Sequence, residues 1–193
     1  MSDDPVTGAP SATSAAAPAG TSAGGPAAGA LAGFFVRNAR PDDWDRVTSV
    51  LAAWWGGRDL SGLLPRLFFQ HFAGTSFVVE CEGELVAFLV GFMCPDHDDE
   101  AYVHFVGVDP DHRRAGIARA LYKLFFALAA ADGREVVRAI TAPVNRASIA
   151  FHEAMGFEVL PGDAEIGGVA ARLDYDGPGQ HRVRMQRRLD LWE

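Results

Sequence analysis

The chain has 193 residues, with 17 Lys and Arg against 25 Asp and Glu and a formal net charge of −8. The length fits one domain, and an acidic chain with no basic block is a poor holder of nucleic-acid phosphates. No apolar run reaches the roughly 18 residues a membrane span needs, and the acidic start Met1-Ser2-Asp3-Asp4 is unlike a secretory leader.

Met1–Ala30 is Ala, Gly, Pro, Ser or Thr except at Met1, Asp3, Asp4 and Val6. Such a segment buries too little apolar surface to offset chain entropy, so residues 1–30 are expected to be a disordered tail and 31–193 the folded domain. Phe34–Arg37 reads as a short strand. Pro41-Asp42-Asp43 reads as a helix start, followed by Trp44, Val47, Val50, Leu51 and Trp54 at helical spacing. A second helix is predicted from Leu63 to Phe72. The period then changes: Ser76–Glu80, Leu85–Phe92 and Glu100–Val108 are strands. Alternation in the third puts Tyr102, His104, Val106 and Val108 on one face, with Ala101, Val103, Phe105 and Gly107 on the other. A long helix follows from Gly116 to Ala131, with Ile117, Leu121, Leu124, Phe125 and Leu128 as its buried stripe. Then come a strand (Glu135–Thr141), a helix (Ala147–Met155), a strand (Phe157–Leu160), a weakly patterned stretch (Pro161–Gly179) and a last strand (Arg182–Leu189). Cys81 and Cys94 form neither a Cys-x-x-Cys pair nor a disulfide framework, which fits a reducing cytoplasm.

The chemistry concentrates at Val108-Asp109-Pro110-Asp111-His112-Arg113-Arg114-Ala115-Gly116-Ile117-Ala118-Arg119, between a strand and an amphipathic helix. A helix start leaves N–H groups unpaired and carries partial positive charge. Small residues at Ala115, Gly116 and Ala118 let an anion approach the backbone, while Arg113, Arg114 and Arg119 add full charge. The pattern is a phosphate cradle that lacks the signatures of a nucleotide P-loop or a dinucleotide site. Read alone, it serves equally as a capped helix with a solvated basic first turn. The loop Cys94–Asp99 holds metal-ligand types without the paired spacing of a structural zinc site, so no metal is expected. No Gly-x-Ser-x-Gly elbow is present, and neither cysteine opens a helix, so a covalent acyl-enzyme has no support.

Arg-x-x-Gly-x-Ala at Arg113–Ala118, after a strand ending Val106-Gly107-Val108, resembles the acetyl-CoA motif of the GNAT N-acetyltransferase family. Asn145-x-x-Ser148-x-x-Phe151-His152-x-x-x-Gly156-Phe157 resembles that family's later motif, in the expected order downstream. The resemblance covers roughly Phe34 to Leu189. It implies an α+β fold: a mixed, mostly antiparallel central sheet with splayed middle strands (Glu100–Val108 and Glu135–Thr141), flanked by helices. It implies acetyl-CoA as acyl donor, with the backbone at Val106, Gly107 and Val108 pairing with the pantetheine arm. The N–H groups of Arg114, Ala115, Gly116, Ile117, Ala118 and Arg119 would hold the pyrophosphate, and Asn145, Ser148 and His152 would line the cofactor. The acceptor is an amine of a small molecule or protein, and transfer is direct within a ternary complex.

Acyl transfer from a thioester to an amine needs a neutral amine, donors for the oxyanion and a proton for the departing thiolate. The family's usual acid is a tyrosine at the position His152 occupies here, so His152 is the candidate acid, with packing or cofactor contact as its other reading. His104 and Tyr102 are candidates for the base or for the acceptor border. Glu80, Glu82, Asp99 and Glu100 can also act through water. Aromatic residues of the first two helices are expected to pack the core and flank the acceptor, and the negative charge favours a cationic acceptor weakly. The alternative from another class is a non-catalytic acyl-CoA-binding module, kept open by the histidine at the tyrosine position. No nucleic-acid or membrane partner is expected, and a homodimer is compatible with the reading.

Overall fold

The computed structural model describes residues 31–189. The expected tail, Met1–Ala30, lies outside the described residues, as do 190–193. Nine strands and four α-helices follow in chain order: β1 (Phe35–Asn38), α1 (Asp43–Trp54), α2 (Leu67–His71), β2 (Phe77–Cys81), β3 (Glu84–Met93), β4 (Glu100–Val108), α3 (Ile117–Ala131), β5 (Val136–Thr141), α4 (Arg146–Ala154), β6 (Glu158–Val159), β7 (Ala164–Ile166), β8 (Val169–Ala171) and β9 (Val183–Arg188). Seven strands form one sheet in the order β1-β2-β3-β4-β5-β9-β6, and β7 and β8 form a separate hairpin. Every sheet pairing is antiparallel except β4 with β5. The architecture is the α+β one expected.

Two apolar cores lie on opposite faces of the sheet. One packs Leu121 and Phe125 of α3 and Ile149 of α4 against Leu89, Val137 and Met185. The other packs Val47, Leu51 and Trp54 of α1 and Phe69 of α2 against Phe88 and Val90. A charged knot joins β1, β2 and α1 at the edge of the second core. Arg37 donates to both carboxylate oxygens of Asp43, at 2.7 and 2.8 Å, and to Glu80 at 2.9 Å, while Arg46 also reaches Glu80.

Four expectations are corrected. The second helix breaks at Pro65 into a 3₁₀ turn at Ser61–Leu63 and the short α2, because proline has no N–H to donate and fixes φ. The weakly patterned stretch contains the β7–β8 hairpin, turned by Gly167-Gly168 with both φ positive, a backbone that glycine adopts without steric cost. The buried stripe of α3 is rotated: Tyr122, Phe126 and Ala129 are buried, whereas Leu124 and Leu128 are only half-buried. The single face of β4 is also divided. The register jumps from Val90↔Phe105 to Gly91↔Val103, so His104 is an extra residue. A bulge reverses the alternation beyond it. Val106 and Val108 therefore pack with the α3 core, while Phe105 packs with the α1 core.

Candidate active site

β4 and β5 pair only where Glu100–Tyr102 faces Val136–Arg138. Beyond Tyr102 the two strands share no ladder among the described residues. The β5-facing amides of the second half of β4 therefore line an open wedge. Free strand edges of this kind pair with extended ligands through main-chain hydrogen bonds.

The mouth of the wedge leads to the start of α3. Asp109 caps a 3₁₀ turn by accepting from the Asp111 N–H at 3.1 Å, and its other carboxylate oxygen lies 3.2 Å from His112 Nδ1. Arg114 then takes φ 64° and Gly116 φ 80° before α3 begins. A left-handed conformation is rare for a residue with a Cβ and costs roughly 1–2 kcal/mol. Among the described residues, no acceptor meets the N–H groups of Arg114, Ala115, Gly116, Ile117, Ala118 or Arg119. Six unpaired donors thus stand at the positive end of a fifteen-residue helix, a place where an anion can bind. The helix needs its first turn free for this, and Gly116 supplies the entry angle.

Arg113 is spent otherwise. Its Nη2 donates to the Trp54 carbonyl at 2.7 Å and its Nε to the Val108 carbonyl at 3.2 Å, stapling the end of α1 to the end of β4. Arg114 and Arg119 are exposed. Gly107 opens toward the opposite side: a Cβ there would lie 2.5 Å from the Phe88 ring and 2.7 Å from Trp55. Its bareness accommodates the aromatic cluster.

On α4, Asn145 caps the helix by accepting from the Ser148 N–H at 3.3 Å, leaving its amide NH₂ available. His152 is 4% exposed. Its Nδ1 lies 2.8 Å from the Ser148 carbonyl and its Nε2 2.8 Å from the Tyr122 hydroxyl. A carbonyl only accepts, so the ring proton is on Nδ1, and Nε2 accepts from Tyr122. Burial holds His152 below the ordinary histidine range, against the opposing pull of Ser148, and burial alone pushes the Tyr122 phenol far up. The pair is neutral and fully satisfied. Tyr122 is the residue that sequence reasoning missed. Its signal was the spacing Tyr122–Phe126, which adds a second row to the helix face.

The bulged His104 and Tyr102 lie on the α2 side of the sheet. His104 stacks on Phe68 at 4.2 Å between centroids, and its Nε2 donates to the Leu63 carbonyl at 2.7 Å. Nδ1 therefore carries the free lone pair. Burial lowers its pKa, with the Leu63 contact and Asp176 working against that shift. Tyr102 stacks on Phe92, and burial, with Tyr175 and Asp176 nearby, keeps its hydroxyl protonated. His104 and Tyr102 thus sit together, across the sheet from His152 and away from Val106 and Val108. Of the other acids considered, Glu80 is held ionised, chiefly by Arg46 and then Arg37, and Glu100 pairs with Arg138. No group of three or more His, Cys, Asp or Glu placed to hold a metal occurs among the described residues.

Residues 44–157 match the model of the acetyltransferase (GNAT) family. The chain is similar to the L-2,4-diaminobutyric acid acetyltransferase of Nocardia farcinica, 33% identical over 89 residues, which are 46% of each chain. It is similar to the enzyme of the same name from Streptomyces anulatus, 37% identical over 97 residues, 47% of this chain and 55% of that one. The match spans about half the length of these curated relatives. Among solved structures, Ard1 from Thermoplasma volcanium superposes with a TM-score of 0.67 at 22% identity, covering 82% of this chain and 99% of that one.

Proposed function

The chain belongs to the acetyltransferase (GNAT) family, and from that premise we propose that it is an acetyl-CoA-dependent N-acetyltransferase acting on a small aliphatic amine. The supporting observation is the nest of six unpaired N–H groups opening into the wedge between β4 and β5. A diphosphate carried on a long amide-bearing arm matches both features. Bound acetyl-CoA would supply an activated acetyl thioester. The backbone of Arg114–Arg119 would hold its diphosphate, the free edge of β4 around Val106–Val108 would pair with its arm, and the Asn145 amide would donate to it.

The chain's own groups account for the remaining requirements. Wedge-facing N–H groups of β4 are fixed donors for charge developing on an acyl oxygen. His104, neutral and with Nδ1 free, is the group suited to take a proton from an ammonium acceptor. Burial and the commitment of both ring nitrogens support a positioning role for His152, which fixes α4 against α3, over proton donation. A thiol has a pKa near 8.5, so a thiolate leaves readily and can take its proton from water. The names of the relatives support L-2,4-diaminobutyrate as the first acceptor to test. Asp176, close enough to act on His104, supports a cationic acceptor. A cytoplasmic location is compatible with two free thiols, Cys81 and Cys94.

Calorimetry with coenzyme A, followed by thiol release with L-2,4-diaminobutyrate and with peptide N-terminal amines, tests the proposal. Binding with turnover of the diamine is expected. A folded protein with no affinity for coenzyme A would overturn it, and binding without turnover on any amine would reduce it to a binding module.

A further inference from the structure

We propose that the Asp176 carboxylate, with the Tyr175 ring beside it, is a subsite for a second ammonium group of the acceptor, so that the preferred acceptor is a short diamine. The proposal rests on the reading of His104 as the group that takes the reacting amine's proton. β9 starts at Val183, opposite Thr141 at the end of β5, where β5 has already parted from β4. The segment just before it, 172–182, therefore stands at the open end of the wedge. Arg172 and Arg182 exchange main-chain hydrogen bonds at 2.8 and 3.0 Å. The loop they close brings Tyr175 and Asp176 near enough to act on Tyr102, and Asp176 on His104.

Arg182 holds Asp176 in place. Its Nε donates to Oδ2 at 2.7 Å, and its Nη1 and Nη2 donate to the His181 carbonyl and the Gln180 side chain. A carboxylate has about four acceptor positions, and Arg182 uses one. Oδ1 accepts nothing among the described residues, and Asp176 is exposed. Tyr175 is 46% exposed, which leaves its ring accessible to a cation. An ammonium held against a carboxylate keeps its proton and cannot attack a thioester. The amine at Asp176 is therefore not the one that reacts. An acceptor that engages both groups carries two amines: one presents its nitrogen to His104 Nδ1, and the other stays charged at Asp176. The monoacetylated product has one amine left and cannot fill both positions, so transfer stops after one acetyl group.

The test compares 1,3-diaminopropane with propylamine on the full chain, by kinetics with acetyl-CoA and by amide chemical shifts without it. Wild type should favour the diamine in kcat/KM. Asp176→Asn, at an exposed position, should raise KM for the diamine about tenfold more than for the monoamine, and Tyr175→Ala about two- to fivefold more. Saturable shifts at Tyr175, Asp176 and Gly177 are expected with the diamine and not with propylamine, weakening with added salt. If Asp176→Asn moves both KM values alike, the carboxylate serves His104 and not the ligand, and the subsite is overturned. Diamine shifts absent from 175–177, or matched by propylamine, would overturn it as well. Shifts at 175–177 without turnover of any amine would support the subsite while the proposed function falls. Turnover with no preference for the diamine would overturn the subsite and leave the proposed function standing.

Discussion

Tyr122→Phe removes one oxygen from the centre of the molecule. Tyr122 is 0% exposed, and its hydroxyl is the partner of His152 Nε2 at 2.8 Å. The ring stays and the packing is kept, so the loss is one buried hydrogen bond plus the stranding of a buried lone pair that water cannot reach. Leaving such a group unsatisfied costs about 1–3 kcal/mol. For a domain of this size, 1 kcal/mol moves Tm by about 2–4 °C, so a loss of about 2 kcal/mol lowers Tm by about 4–8 °C. Urea unfolding of wild type, Tyr122→Phe, His152→Leu and the double variant gives the coupling directly. Replacing both partners by apolar groups removes the stranded lone pair, so the double variant should be less destabilised than the sum of the two singles, by about 0.5–3 kcal/mol. If Tyr122→Phe unfolds at the wild-type midpoint, or if the two effects simply add, the hydroxyl does not hold the two helices together and the positioning role falls.

The same pair predicts a pH dependence. The folded pKa of His152 lies below its ordinary value of 6.5, so its stabilisation is present above that value and is lost as pH falls through the folded pKa. The urea midpoint should therefore fall on acidification below about 6.5, less steeply in His152→Leu. The slope should not vanish, because His104 contributes with the same sign. In enzyme assays, His152→Phe should leave the shape of the kcat–pH profile unchanged while His104→Ala removes its acid-side limb, where protonation of the base shuts activity off; an altered profile only in the former would reverse the two assignments. Gly107→Ala should lower stability by about 1–3 kcal/mol through overpacking against Phe88 and Trp55, read as a shifted urea midpoint. Asp43→Asn leaves Arg37 with Glu80 as its remaining carboxylate partner and should cost about 1–3 kcal/mol through the weakened charge-assisted hydrogen bonds; a neutral effect by thermal melting would show that water already screens the knot.

Most of the elements were legible because each depends on neighbours in sequence. The apolar spacing of α1 and α3, the strand run of β3, the glycine and arginines ahead of α3, and the cap at Asn145 are local signals carried by side-chain period and backbone preference. The acetyl-CoA motif was readable for the same reason, since an anion nest is built from consecutive amides. Pro65 and Gly167-Gly168 are local signals of the same kind, and they carry the break in the second helix and the turn of the hairpin.

Other features were decided only when distant segments met. The bulge at His104 depends on how β4 registers against β3, which no single strand encodes, and it moved Tyr102 and His104 away from the face of Val106 and Val108. Arg113 has the chemistry of a phosphate ligand, yet the nearby carbonyl of Trp54 claims it. His152 has the chemistry of an acid, yet the Ser148 carbonyl fixes its tautomer and Tyr122, thirty residues earlier, occupies its other ring nitrogen. The sequence specifies which groups are available and where the chain turns. Burial and partner choice fix protonation state and direction, and both are properties of the packed molecule.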